Sequence, residues 1–180
     1  AIILGLPALK KFKYVLFDGP RKEVEFSLHQ TWNADKSEIW GLYVFSIEED
    51  SNGNAFLFVE IFIAGENMKL QLDTGSGQGL AIREKLWERI HNKFSNLKLK
   101  AGLEHYPFFG KLPCRKGIIK DLEVGGRKVK NAKISIFPDD GVLMSVKNRQ
   151  GLLGMQYFRD TVLVLDFEHQ IMWVKNLQKH

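Results

Sequence analysis

The sequence predicts an all-β domain carrying one or two short helices. Short runs rich in β-branched and aromatic residues recur along the chain, Gly, Pro, Asn and Asp punctuate them, and only one stretch has helical spacing. With 180 residues, 44% of them hydrophobic, the chain can bury one sizeable core and is short for two. Residues 1–180 are therefore expected to form a single domain.

The elements follow in order. Phe12 to Phe17, Val24 to Leu28 and Ile39 to Ile47 read as strands, separated by Asp18-Gly19-Pro20 and by Asn33-Ala34-Asp35-Lys36-Ser37. Residues 1–53 thus form an N-terminal β extension that either adds strands to the domain or folds over its cleft. Its aromatic residues need burial, which favours added strands. Glu48 to Asn54 is a hydrophilic connector and the best boundary, leaving 54–178 as the main body.

Phe56 to Leu72 alternates and clusters apolar residues around a Gly65-Glu66-Asn67 turn, as a hairpin does. Its second strand ends in Asp73, and the glycine-rich loop Thr74-Gly75-Ser76-Gly77-Gln78-Gly79 follows. Ala81 to Phe94 then places Ile82, Leu86, Ile90 and Phe94 four residues apart with charges between them, the pattern of an amphipathic helix. Leu99 to Gly117 is rich in Gly, Pro and aromatics and reads as a hairpin. Gly125-Gly126 turns a second hairpin between Ile118 to Val124 and Lys128 to Phe137. Val162 to Phe167 and Ile171 to Val174, bracketing Glu168-His169, close the chain as a further hairpin.

Composition narrows the function classes. The net charge of +5 comes from 26 basic residues dispersed among 21 acids. The densest stretch, Lys111 to Lys133, alternates its charges with Ile118, Leu122, Val124, Val129, Ile134 and Ile136, so it reads as the solvated face of a sheet rather than a nucleic-acid footprint. Cys114 is the only cysteine and reads as a small packing residue; the redox compartment stays open. No run reaches membrane-spanning length, so this chain gives no indication of membrane contact. It opens at Ala1 rather than Met, which leaves room for a removed signal or anchor and, with it, a periplasmic, cell-envelope or secreted location.

The strand, Asp73 and glycine loop carry the chemistry. A turn of this kind can hold an acid still, because Gly75 can take backbone angles closed to other residues, the Gly75 and Ser76 amides can face a carboxylate, and the Thr74 hydroxyl can brace the loop. Gly75, Gly77 and Gly79 also invite a phosphate-binding reading, but the dinucleotide fingerprint wants its third glycine where Leu80 stands, and repeated strand-helix units are missing. His29, His91, His105, His169 and His180 show no metal-ligand spacing, so no metal is expected.

Leu70, Leu72, Asp73, Thr74, Gly75 and Ser76 match the active-site motif of aspartic proteases, two hydrophobic positions followed by Asp-Thr-Gly-Ser/Ala. About eighty residues on, Gly151-Leu152-Leu153-Gly154-Met155-Gln156-Tyr157-Phe158 supplies a hydrophobic-hydrophobic-Gly element, a short helix and the approach to a terminal hairpin. The pair resembles the retropepsin-like aspartic proteases of bacteria, over roughly Asn54 to Lys175. Gln156 departs from an acidic residue common there, and Ser76 takes the pepsin-like choice over Ala.

The resemblance implies a single retropepsin-like lobe, a closed β-barrel with a psi-shaped loop in which Leu152, Leu153 and Gly154 lie beside the catalytic turn. It implies Asp73 as the catalytic carboxylate, supported by Thr74, Gly75 and Ser76, and a flap over the substrate with Tyr106, Phe108 and Phe109 at its tip; an ordinary hairpin with buried aromatics remains the other reading of those three. One Asp-Thr-Gly per chain implies a homodimer hydrolysing peptide or protein substrates through water, with no cofactor. The alternative is a catalytically silent lobe acting as a binding or regulatory module.

Overall fold

A computed structural model describes residues 5–94, 96–106, 109–146 and 149–175. Twelve strands dominate it. They are β1 (Tyr14–Asp18), β2 (Glu23–Ser27), β3 (Trp40–Glu49), β4 (Ala55–Ile63), β5 (Glu66–Asp73) and β6 (Leu80–Arg83), then β7 (Lys100–Tyr106), β8 (Gly110–Val124), β9 (Arg127–Phe137), β10 (Gly151–Gly154), β11 (Val162–Asp166) and β12 (Ile171–Lys175). The helices α1 (Leu6–Leu9) and α2 (Glu84–Ile90) are short, and three single 3₁₀ turns accompany them. The fold is all-β with short helices, as the punctuated strand pattern indicates.

The chain divides into two compact units, one made of residues 1–60 with 158–180 and one of 61–157. In the first, the strands run β2-β1-β11-β12-β3-β4, every neighbour antiparallel. β12 is hydrogen-bonded on both sides, to β11 through Leu163↔Val174 and to β3 through Trp173↔Leu42. Val15, Phe45, Leu163, Val164 and Met172 are buried in this unit, and the Phe45 and Phe167 rings meet edge to face at 5.6 Å. The polar stretch after β3 is a hairpin turn into β4: the Asp50 carboxylate accepts from the amides of Asn52 and Asn54 at 2.8 and 2.9 Å, and Gly53 takes the left-handed φ that closes it.

In the second unit the order is β5-β10-β6-β9-β8-β7. β10 runs parallel to β5 and antiparallel to β6, and β6 runs parallel to β9. The Ala64-Gly65 turn leading into β5 and the Gly125-Gly126 turn between β8 and β9 both have positive φ at both residues, matching the strand twist. The end of β4 reaches β8 through the Ile63↔Val124 pair.

The expected helix from Ala81 to Phe94 is corrected at its start. Leu80, Ala81 and Ile82 are buried on both faces of the sheet between β10 and β9, so this segment is a strand and the helix begins at Glu84. The helical spacing is real, but Ile82 is claimed by strand pairing, and only Leu86, Trp87 and Ile90 form the buried stripe of α2.

Candidate active site

Asp73 is the last residue of β5, and the loop from Thr74 to Gly79 carries the chain over the end of β10 into β6. The parallel register sets Leu153 against Leu72 and Gly154 against Asp73, so residues some eighty positions apart become neighbours. Alternation then buries Leu70, Leu72 and Leu153 on the core side and leaves Gln71 and Asp73 on the opposite face.

The loop is tied down by its backbone. The Gly75 amide donates to Asp73 Oδ1 at 3.1 Å, the Ser76 amide to the Asp73 carbonyl at 3.2 Å, and the Gln78 amide to Ser76 Oγ at 3.2 Å. From the end of β10, Gly154 donates to the Gly79 carbonyl at 3.0 Å, and from the 3₁₀ turn that follows, the Met155 amide donates to the Ser76 carbonyl at 2.7 Å and the Gln156 amide to the Gln78 carbonyl at 3.2 Å. The Thr74 hydroxyl makes no hydrogen bond among the described residues, so within one chain Ser76 rather than Thr74 braces the turn.

The glycine requirement also lies elsewhere than expected. Gly75 does not take a left-handed φ, and a Cβ there would sit 3.4 Å from Asp73 Oδ1, an ordinary contact. At Gly79 a Cβ would lie 2.2 Å from the Lys133 carbonyl, and at Gly154 it would lie 2.2 Å from the Gln78 carbonyl. Close backbone approach, not backbone angle, demands glycine here.

Two arginines that sequence reading passed over support the site. The Arg83 guanidinium donates to the carbonyls of Arg149, Asp139 and Met144. Arg149 is 4% exposed and donates to the Leu143 carbonyl and to Gln71 Oε1. Burial pulls its guanidinium down to about 10, while the nearby Asp73 carboxylate favours the charged form. The two side chains thus fasten the segment between β9 and β10 beneath the face that carries Asp73. Arg149→Met should lower stability by about 1–3 kcal/mol, read as a shifted urea midpoint, because a buried carbonyl and a side-chain amide oxygen lose their donors.

Tyr106 ends β7 and is buried, its ring 6.1 Å from that of Phe137 in an edge-on arrangement. Burial holds its phenol above the ordinary value, and the Glu104 and Asp73 carboxylates add to the effect. Tyr106 therefore belongs to a cluster with Ala81, Cys114, Phe137, Leu143, Met144 and Leu152. Phe109, at the turn into β8, is exposed, and Phe108 lies outside the described residues. Cys114 is buried within the same cluster, which pushes its thiol up, as suits a packing residue.

The sequence signature of a family described as aspartyl protease matches residues 59–157. The chain belongs to the aspartyl protease family. The matched segment nearly coincides with the unit formed by 61–157. Among solved structures, the chain is similar to a retropepsin-like aspartic protease from Rickettsia conorii, with 17% identity over 79% of this chain and 97% of that one and a TM-score of 0.46. It is also similar to conglutin gamma, a basic 7S globulin from lupine seeds (11% identity, 77% of this chain, 41% of that one, TM-score 0.41), and to Basic 7S globulin from soybean (10%, 82%, 47%, 0.42). The chain spans less than half the length of either globulin. No curated protein matches it.

Proposed function

We propose that the chain is an aspartic endopeptidase whose active form joins two copies, so that two Asp73 carboxylates share one proton. One carboxylate takes a proton from water as it attacks the peptide carbonyl, and the other donates to the carbonyl oxygen. Gly75 and Ser76 hold the turn within each chain, Thr74 supports it where the two copies meet, Leu152, Leu153 and Gly154 back it, and the β7–β8 hairpin near Tyr106 and Phe109 serves as the flap. The reading rests on the placement of Asp73, whose carboxylate accepts, among the described residues, one hydrogen bond, from the Gly75 amide at the mouth of a loop fixed to β10. Asp166, by contrast, is buried and held by the amide and the ring Nδ1 of His169.

One observation favours a silent lobe. A dimer built by sharing a terminal strand needs a free strand edge near the C-terminus, and β12 already has partners on both edges, β11 and β3. A dimer must therefore meet through another surface.

The test is a pH series against an unbiased peptide library at several protein concentrations. A dyad works while it holds one proton, so the rate should peak at acidic pH, falling above as that proton is lost and below as a second binds. Specific activity should rise with concentration, and excess Asp73→Asn chains should suppress it through dead heterodimers. A rate independent of concentration and unaffected by mixing would rule out the shared dyad.

A further inference from the structure

Beside the Asp73 loop the second unit carries a groove of about 1070 Å³. Gly77, Gln78 and Gly79 of the loop form one wall, and the exposed Ile118 and half-buried Leu97 contribute apolar surface. Six lysines line it against two carboxylates, Glu104 and Asp121. Lys116 is paired with Glu104 at 2.7 Å, and Lys93 donates to the Ala64 carbonyl. The other four, Lys98, Lys100, Lys120 and Lys133, are exposed, and among the described residues none forms an ion pair with a carboxylate.

Strand register ties this groove to Asp73. Asp73 is opposite Gly154, Gly154 bonds to Gly79, Gly79 lies against the Lys133 backbone, and Lys133 is opposite Ile118. One residue row therefore crosses the sheet from Asp73 to Lys133. The adjacent row, through Gln71, Leu152, Ala81, Ser135, Lys116 and Lys100, brings further lysines to the same face. Strands lie about 4.8 Å apart, so three steps put Lys133 roughly 14 Å from Asp73, the span of about four extended residues.

We propose that this groove takes the acidic flank of an extended polypeptide, making the substrate class one with Glu or Asp about four to six residues from the bond cleaved. The inference rests on the protease reading for the word substrate, but the binding site itself does not. Apolar surface between spaced ammonium groups fits alternating apolar and carboxylate side chains. A nucleic acid would instead want aromatic faces for stacking, and among the described residues lining the groove Phe94 is the one aromatic.

The test uses the full-length Asp73→Asn protein, which cannot consume its ligand. Fluorescent twelve-residue peptides with an apolar centre and one flank of either four Glu or four Lys are titrated by anisotropy. The Glu peptide should bind about tenfold tighter, and more weakly as salt rises. Changing Lys98, Lys100, Lys120 and Lys133 to Gln should abolish that preference, whereas Lys128→Gln with Lys130→Gln, on exposed positions outside the groove, should keep it. Equal binding of the two peptides, or equal loss in both lysine sets, overturns the proposal, as does a single-stranded oligonucleotide that binds more tightly than the Glu peptide. Library cleavage by the unaltered protein is scored separately. Binding without cleavage leaves the groove standing and sinks the protease reading, and cleavage without an acidic preference does the reverse.

Discussion

Asp73→Asn is expected to cut peptide hydrolysis by at least about 10²–10⁴-fold, the range for removing a positioned acid-base group, while leaving the fold intact. The side chain's bond comes from the Gly75 amide at 3.1 Å, and an Asn side-chain oxygen can accept the same bond. Among the described residues the loop's remaining ties run from backbone amides to the Asp73, Ser76, Gln78 and Gly79 carbonyls and to Ser76 Oγ, and the buried Arg149 guanidinium, whose charge Asp73 favours, keeps its bonds to the Leu143 carbonyl and Gln71. Thermal unfolding should therefore move little while turnover collapses. Hydrolysis at the original rate by the Asn form would end the assignment of Asp73, whereas collapse of both activity and unfolding temperature would mark the residue as structural.

Gly154→Ala should act the other way, through the fold first. Its added methyl would meet the Gln78 carbonyl oxygen at 2.2 Å, its carbon at 2.9 Å and the Ser76 oxygen at 3.0 Å, all backbone atoms with no rotamer to escape into. Relief requires the Ser76–Gly79 loop to lift from β10, which gives up the hydrogen bonds made by Gly154, Met155 and Gln156. A cost of about 3 kcal/mol or more follows from overpacking plus lost bonds, enough to lower the melting temperature by roughly 10 °C or more. Gly77→Ala is the control, since nothing lies within 4 Å of its added methyl. If the two variants melt alike, the close approach of β10 to the loop is not what fixes Asp73.

Much of this was readable from local chemistry. The Gly125-Gly126 hairpin, the strand ending in Asp73 and the hairpin within Leu99 to Gly117 each announce themselves through turn residues and alternation, although β8 runs on unbroken through Ile118 to Val124. The segment Leu80–Arg83 was misread because periodicity reports which residues are apolar, not which partner strands surround them, and four residues are too few to separate the two periods. The roles of Gly79 and Gly154 were hidden for a related reason, as each depends on a backbone distant in sequence. Arg83 and Arg149 were passed over because an arginine in a sequence looks like surface charge. Burial with carbonyl acceptors becomes visible only once β5, β6 and β10 lie side by side.

The division of the chain also orders its making. Residues 61–157 are continuous, and by the time Tyr157 leaves the ribosome β5 through β10 all have their neighbours. β1 and β3 are synthesised long before, yet their partners β11 and β12 follow only after β10. Synthesis runs from the N-terminus, so β1 and β3 wait for these partners while residues 61–157 can close on themselves, and the unit built from 1–60 with 158–180 is completed after the Asp73 unit.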